Sequence, residues 1–235
     1  TDDRDVLVVT PEGGIIKHTA SYKNEQNLQA SKAKIQLSEN GSLTATIQKV
    51  STGIQYDSSV GLERYSQEEL IKSYKTDVWD YINNLEINKA GLENNKKTVQ
   101  FTENLEVSVE NFATVNETEF LFRVNVFNRN SFVPNKYKDR KLPLKIERGY
   151  KDTEDYIFKI PENYKIESLP AETALVTKFG EYKLKFNKID ETSFSYSREL
   201  FIKEGLYPKE DYEEYRNFRR TIARLENLRI AIIKQ

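Results

Sequence analysis

The chain has no cysteine, no methionine, one histidine and one tryptophan among its 235 residues. Without cysteine there is no disulfide, thiol nucleophile, zinc finger or iron–sulfur cluster, though this does not fix the compartment. With His18 alone, a His-x-x-x-His zinc site cannot exist, and a Ser-His-Asp triad could be built only on that residue. Neither sign of charge predominates: 36 basic and 37 acidic side chains leave a formal net charge of -1. That balance gives no reason to expect nucleic acid or an anionic membrane as partner. No apolar run approaches the length of a membrane-spanning helix, and no signal peptide is visible. The first residue is Thr1 rather than Met, so the expectation is a processed product or a piece of something longer. There is no Gly-rich phosphate loop and no Gly-x-Ser-x-Gly elbow; Glu12-Gly13-Gly14 reads as a turn between short strands.

What is abundant is aromatic: 12 Phe and 14 Tyr offset a high charged fraction of 31%, since each ring buries a large area. The length is enough for a core without staples. Alternation of period two dominates and marks half-buried strands. In 98–111 one face carries Val99, Phe101, Leu105, Val107 and Val109; in 118–127 it carries Phe120, Phe122, Val124 and Val126. These two stretches read as a hairpin through 113–117, with a bulge expected near Glu103-Asn104 because the first is long for a strand. Tyr156/Phe158/Ile160, Tyr182/Leu184/Phe186 and Phe194/Tyr196/Leu200/Ile202 repeat the pattern. Asn40-Gly41 separates an Ile35/Leu37 stripe from Leu43/Ala45/Ile47, which predicts a type I′ hairpin with positive φ at both turn residues.

Two helices are predicted. Ser66 and Glu69 form a capping box ahead of Leu70, Ile71, Tyr74, Val78, Ile82 and Leu85, a helix over 66–85. The second, over 208–225, opens at Pro208 with acidic first turns and buries Tyr215, Phe218, Ile222 and Leu225. A short strand over 229–233 closes the chain. The fold class is therefore β-rich α+β, with largely antiparallel, sandwich-like sheets and two covering helices. The polar stretch 128–143 suggests a division into 1–133 and 134–235, or else one continuous unit. Residues 88–97 read as a flexible loop.

Candidate chemistry is sparse. Asp2/Asp3/Asp5 and Asp152/Glu154/Asp155 could offer oxygen ligands to Ca²⁺, but neither has EF-hand spacing, and solvated loops explain both. No two carboxylates are marked as buried or close, so a glycosidase pair has no support. His18 reads as a solvated strand-end residue, and Trp79 and the other rings as core. Hence no catalytic, cofactor-binding or metal-binding residue is assigned. Arg216, Arg220 and Arg224, four apart on the second helix, form a row suited to docking acidic groups of this chain or a partner.

The stretches YIFKIPENYKIESLP (156–170), Phe179-Gly180-Glu181-Tyr182 and GLYPKEDYEEYRNF (205–218) resemble a particular tail. It is the β-rich C-terminal domain that follows the papain-like core in bacterial transglutaminase-like envelope proteins. Residues 3–64 resemble the segment that joins core to tail. The resemblance implies that chemistry would reside in an upstream Cys-His-Asp core, none of which lies in this cysteine-free chain. It implies a non-catalytic accessory or interaction domain, an extracytoplasmic setting, and as partner the upstream domain or another envelope protein. No cofactor, nucleic acid or membrane span is expected. The alternative is a free-standing carbohydrate- or peptide-binding β-module.

Overall fold

The computed structural model describes residues 2–235. Its strands come mainly as hairpins, because short polar turns separate the alternating stretches. The first joins β1 (Asp5–Thr10) to β2 (Gly13–His18), and the second joins β3 (Leu28–Leu37) to β4 (Leu43–Thr52). Two short helices follow, α1 (Ile54–Ser59) and α2 (Gln67–Ser73), before β5 (Leu85–Asn95) and β6 (Gln100–Val109). Then come β7 (Thr114–Val115), β8 (Glu119–Arg123), β9 (Leu144–Ile146), β10 (Tyr150–Lys159), β11 (Tyr164–Lys165) and β12 (Thr173–Thr177). The chain ends with β13 (Gly180–Asp190), β14 (Ser193–Ile202), β15 (Gly205–Tyr207), α3 (Tyr212–Glu226) and β16 (Arg229–Lys234).

Eight strands form one sheet in the order β12-β13-β14-β10-β3-β4-β6-β5. Every pairing in it is antiparallel except the central one, β3 with β10. That pair takes one strand from each side of 128–143, a stretch without helix or strand. A four-stranded sheet, β11-β16-β8-β7, covers part of the inner face. Phe122 of β8 meets Phe158 and Phe194, whose own rings stack at 4.9 Å. Helix α3 covers another part, with Tyr215 against Phe179. The fold is β-rich α+β.

Several expectations are corrected. The strands over 98–111 and 118–127 do not pair: both edges of β6 are taken by β4 and β5, so β8 pairs with β7 and β16 instead. Regular pairing in the second stretch stops at Arg123, after which Val124, Asn125, Val126 and Phe127 are all buried. The bulge lies in β5, between Ile87 and Lys89, not in β6. The stretch 88–97 is mostly strand; its polarity is that of a sheet edge, which charged and polar side chains protect from further pairing. The helix over 66–85 ends by Val78, with its capping box intact. Its last turn, Tyr74–Val78, is a wide π turn closed by Trp79 N donating to Tyr74 O. Trp79 is pinned there by its indole N–H, which donates to Phe127 O at 2.8 Å. The second helix begins as a 3₁₀ turn, Lys209–Asp211, and continues as α3.

The Asn40-Gly41 hairpin forms, but only Gly41 has positive φ, at 83°. Gly41 N donates to Ser38 O and Ser38 N to Ser42 O, so this is a type I turn followed by a left-handed glycine. A Cβ at Gly41 would lie 2.9 Å from Ala113 O. Gly41→Val is therefore expected to cost about 1 kcal/mol or more, from backbone strain plus this clash. A thermal melt matching the wild type would refute it.

Candidate functional site

A constellation of ionisable groups lies inside the protein. Strand β10 alternates Asp152, Glu154, Tyr156 and Phe158 toward the core, and β14 places Arg198 opposite Glu154. Helix α3 brings Glu226 to the same point from its last turn. Arg198 Nη1 donates to Glu154 Oε2 at 2.5 Å, and its Nε donates to Glu226 Oε1 at 2.8 Å. All three side chains are 0% exposed. The remaining carboxylate oxygens are also met. Asn128 Nδ2 donates to Glu154 Oε1 at 2.6 Å, Asn125 Nδ2 donates to Glu226, and Gln55 Nε2 donates to Asp152 Oδ1 at 2.8 Å. A second pair lies farther along the sheet, where Glu103 accepts from the Tyr74 hydroxyl and meets Lys49 Nζ at 2.7 Å.

Burial pushes the Glu154 carboxyl up to about 7, although Arg198 pulls it down. Asp152 and Glu226 are raised by the same desolvation. The loop reading of 152–155 is thus overturned for its first two acids, which are core residues of a central strand; only Asp155 is exposed. Two buried carboxylates do come together, through a shared guanidinium. Periodicity could have found them, since Asp152 and Glu154 continue the inward phase of Tyr156 and Phe158. Chemically the cluster is closed: Glu154, Arg198 and Glu226 are fully buried, and the bonds from Glu226 through Arg198 to Glu154 hold α3 onto the sheet.

The surface offers three other features. The hairpin β1–β2 is a sheet of its own, tethered where Arg148 reaches Asp2 and Asp3. Leu7, Val9 and Ile16 are 63%, 82% and 66% exposed on it, with Ile15 half-exposed. At its base, His18 Nδ1 lies 2.9 Å from Asp5 Oδ1 and Nε2 3.2 Å from Asp3 Oδ1. Hydrogen bonds to Asp5 and then Asp3 raise the His18 pKa. A raised folded-state value means that any stabilisation is present below about 6.5 and fades as pH rises through the folded pKa. NMR titration is expected to place the His18 midpoint above 6.5 and to lower it in Asp5→Asn; an unchanged midpoint in the variant would exclude Asp5 as the cause. Among the described residues no cluster of three or more His, Asp or Glu could hold a metal ion.

The outer face of the large sheet is concave, enclosing about 670 Å³ over a floor that includes Lys32, Thr46, Gln48, Asn104, Ser195 and Ser197. No exposed aromatic ring lines it; Tyr156 and Tyr196 border it but are buried on the inner face.

The predicted arginine row is divided. Arg216 Nε donates to Pro134 O at 3.0 Å and Nη1 to Glu213 Oε1 at 3.5 Å. Arg220 is exposed and donates to Asn217 Oδ1 at 2.8 Å, within its own helix, and Arg224 is exposed. The buried arginine of α3 is Arg219, whose Nη2 donates to Asn130 Oδ1 at 2.6 Å.

Residues 118–232 match the model of DUF3858, a domain of unknown function with solved structure, over just under half of the chain. The match spans β8 to β16 and includes Glu154, Arg198 and Glu226. Neither the curated proteins nor the solved structures gave a match.

Proposed function

We propose that this chain is a non-catalytic interaction domain of a larger transglutaminase- or peptidase-like bacterial envelope protein, docking on that protein's Cys-His-Asp domain or on another envelope partner. The carrying observation is the hairpin β1–β2, whose apolar side chains stand in solvent. An isolated two-stranded hairpin is marginal in water, and exposed apolar surface of this kind marks contact sites. The transglutaminase context has its support in the stretches 156–170, 179–182 and 205–218. The absence of any thiol, and the sealing of the carboxylate cluster from water, support a role without turnover.

The test mixes this chain with the Cys-bearing domain encoded in the same reading frame. Wild type is expected to co-elute with it, and Leu7→Asp/Val9→Asp to remain folded but elute alone. A reading frame without such a domain, or equal binding by the variant, would refute the reading. The concave outer sheet face favours a second reading, a peptide- or carbohydrate-binding module. With no stacking ring on its floor, its ligand would be held by hydrogen bonds from Gln48, Asn104 and Ser197. Saturable glycan or peptide binding lost in Gln48→Ala/Asn104→Ala would favour it.

A further inference from the structure

Arg123 ends β8 and stands directly across from Arg229 of β16. Like charges at such a cross-strand position repel. Arg129, six residues on, adds a third positive charge close enough to bear on Arg123. Burial first, and then the charges of Arg129 and Arg229, hold the Arg123 guanidinium below its ordinary value. Among the described residues none of the three makes an ion pair. Arg123 Nε is buried without any hydrogen-bond partner. Buried guanidinium N–H groups normally find an acceptor, so this one is anomalous within the protein alone.

Arg123 and Arg129 border a cleft. Arg123, Arg129, Asn83, Asn111, Asn125 and Tyr81 contribute to a wall that contains no acidic residue. Its volume is about 110 Å³, well above the roughly 10–15 Å³ that one water needs. Arg129 is fixed beside it: its guanidinium lies 4.3 Å from the Tyr81 ring centroid, and its backbone N–H donates to the Tyr81 hydroxyl. The nearby carboxylate of Glu226 is committed to Arg198, Asn125 and Asn130 N. Planar guanidinium forks and amide side chains suit oxygen acceptors that carry negative charge.

We propose that this cleft binds a small oxyanion, a phosphate or a carboxylate group, on Arg123 and Arg129. The site is independent of the docking reading above. In it, the anion accepts from the Arg123 and Arg129 guanidinium groups and relieves the repulsion among the three arginines.

The test is a thermal-shift and calorimetric titration of the full chain with sodium phosphate, sodium acetate and sodium chloride at matched ionic strength. A saturable rise in Tm with phosphate or acetate, absent with chloride, is expected; whichever anion acts assigns the group. Arg123→Gln and Arg129→Gln should each weaken the apparent affinity by about tenfold or more, the loss of one charged hydrogen bond. Arg220→Gln, whose side chain bonds within α3 and does not line the cleft, should leave it unchanged. A shift that chloride reproduces, or that survives in both cleft variants, overturns the proposal and leaves the arginines as long-range balance for the buried carboxylates. If the cleft variants do not fold, amide chemical shifts of the wild type decide. Phosphate or acetate must move the Asn83, Asn111 and Asn125 signals first, and titration without such localised movement overturns it equally.

Discussion

Replacing Arg198 with Met is expected to destabilise the protein by about 3–5 kcal/mol, the usual cost of removing one partner from a buried ion pair. The loss is large because two carboxylates share this one guanidinium. Without it, Glu154 and Glu226 remain fully buried, with amide donors but no opposing charge in contact. Urea unfolding should show a lower midpoint with an unchanged slope, since the surface exposed on unfolding hardly differs. The triple variant Arg198→Met/Glu154→Met/Glu226→Met should recover most of the loss, because an apolar set of similar volume removes the desolvation cost with the charges. A single variant as stable as wild type would show that the charges are dispensable.

The pH dependence of that deficit has a definite sign. Glu154 sits at about 7 when folded, against 4.5 as its ordinary value. Between those values the folded chain holds a proton that the unfolded chain releases, so this group lowers stability as pH rises through the window. Removing Arg198 takes away the charge that restrains the upward shift. The deficit of Arg198→Met should therefore grow from pH 4.5 toward neutrality and shrink in acid, where the carboxylates are neutral in both states.

Gly180→Ala is expected to be the second most damaging single change. Gly180 opens β13 at a φ of 149°, and an added Cβ would stand 1.9 Å from Phe201 O and 2.9 Å from Phe201 C. The obstacle is backbone of the neighbouring strand β14, paired with β13 from Gly180↔Ile202 onward. No rotamer change relieves it. Backbone strain of about 1–3 kcal/mol adds to overpacking of similar size, and the strand start must shift away from Phe179, which is buried against Tyr207 and Tyr215. An alanine variant with wild-type urea midpoint and intact near-ultraviolet circular dichroism would refute this.

The fold was legible wherever hydrophobic alternation and burial coincide. The stripes on β3, β4, β10, β13 and β14 all face the core, and the capping box at Ser66 is present. Legibility failed where a strand is polar for a reason that lies outside its own sequence. β5 is polar along much of its length because it is an edge, and the acids of β10 point inward because a guanidinium from β14 and an amide from residue 128 wait there. Pairing across distance was likewise hidden: nothing near residues 100–123 says that both edges of β6 will be occupied. The arginine cleft was invisible for the same reason, since Tyr81, Asn111, Arg123 and Arg129 come to one wall only in the folded chain.

The parallel pairing of β3 with β10 has a consequence for how the chain reaches its native state. Asn27, just ahead of β3, donates through its side chain to Gly149 O, just ahead of β10, across 122 residues of sequence. During synthesis the β3–β4 hairpin can close as soon as it emerges, but the open edge of β3 must wait for most of the chain before its permanent neighbour arrives. Contacts of such high sequence separation slow folding and leave a strand edge open to other chains meanwhile. Yield of native protein should thus depend on dilution and on chaperone capacity more than the equilibrium stability of the finished sheet would suggest.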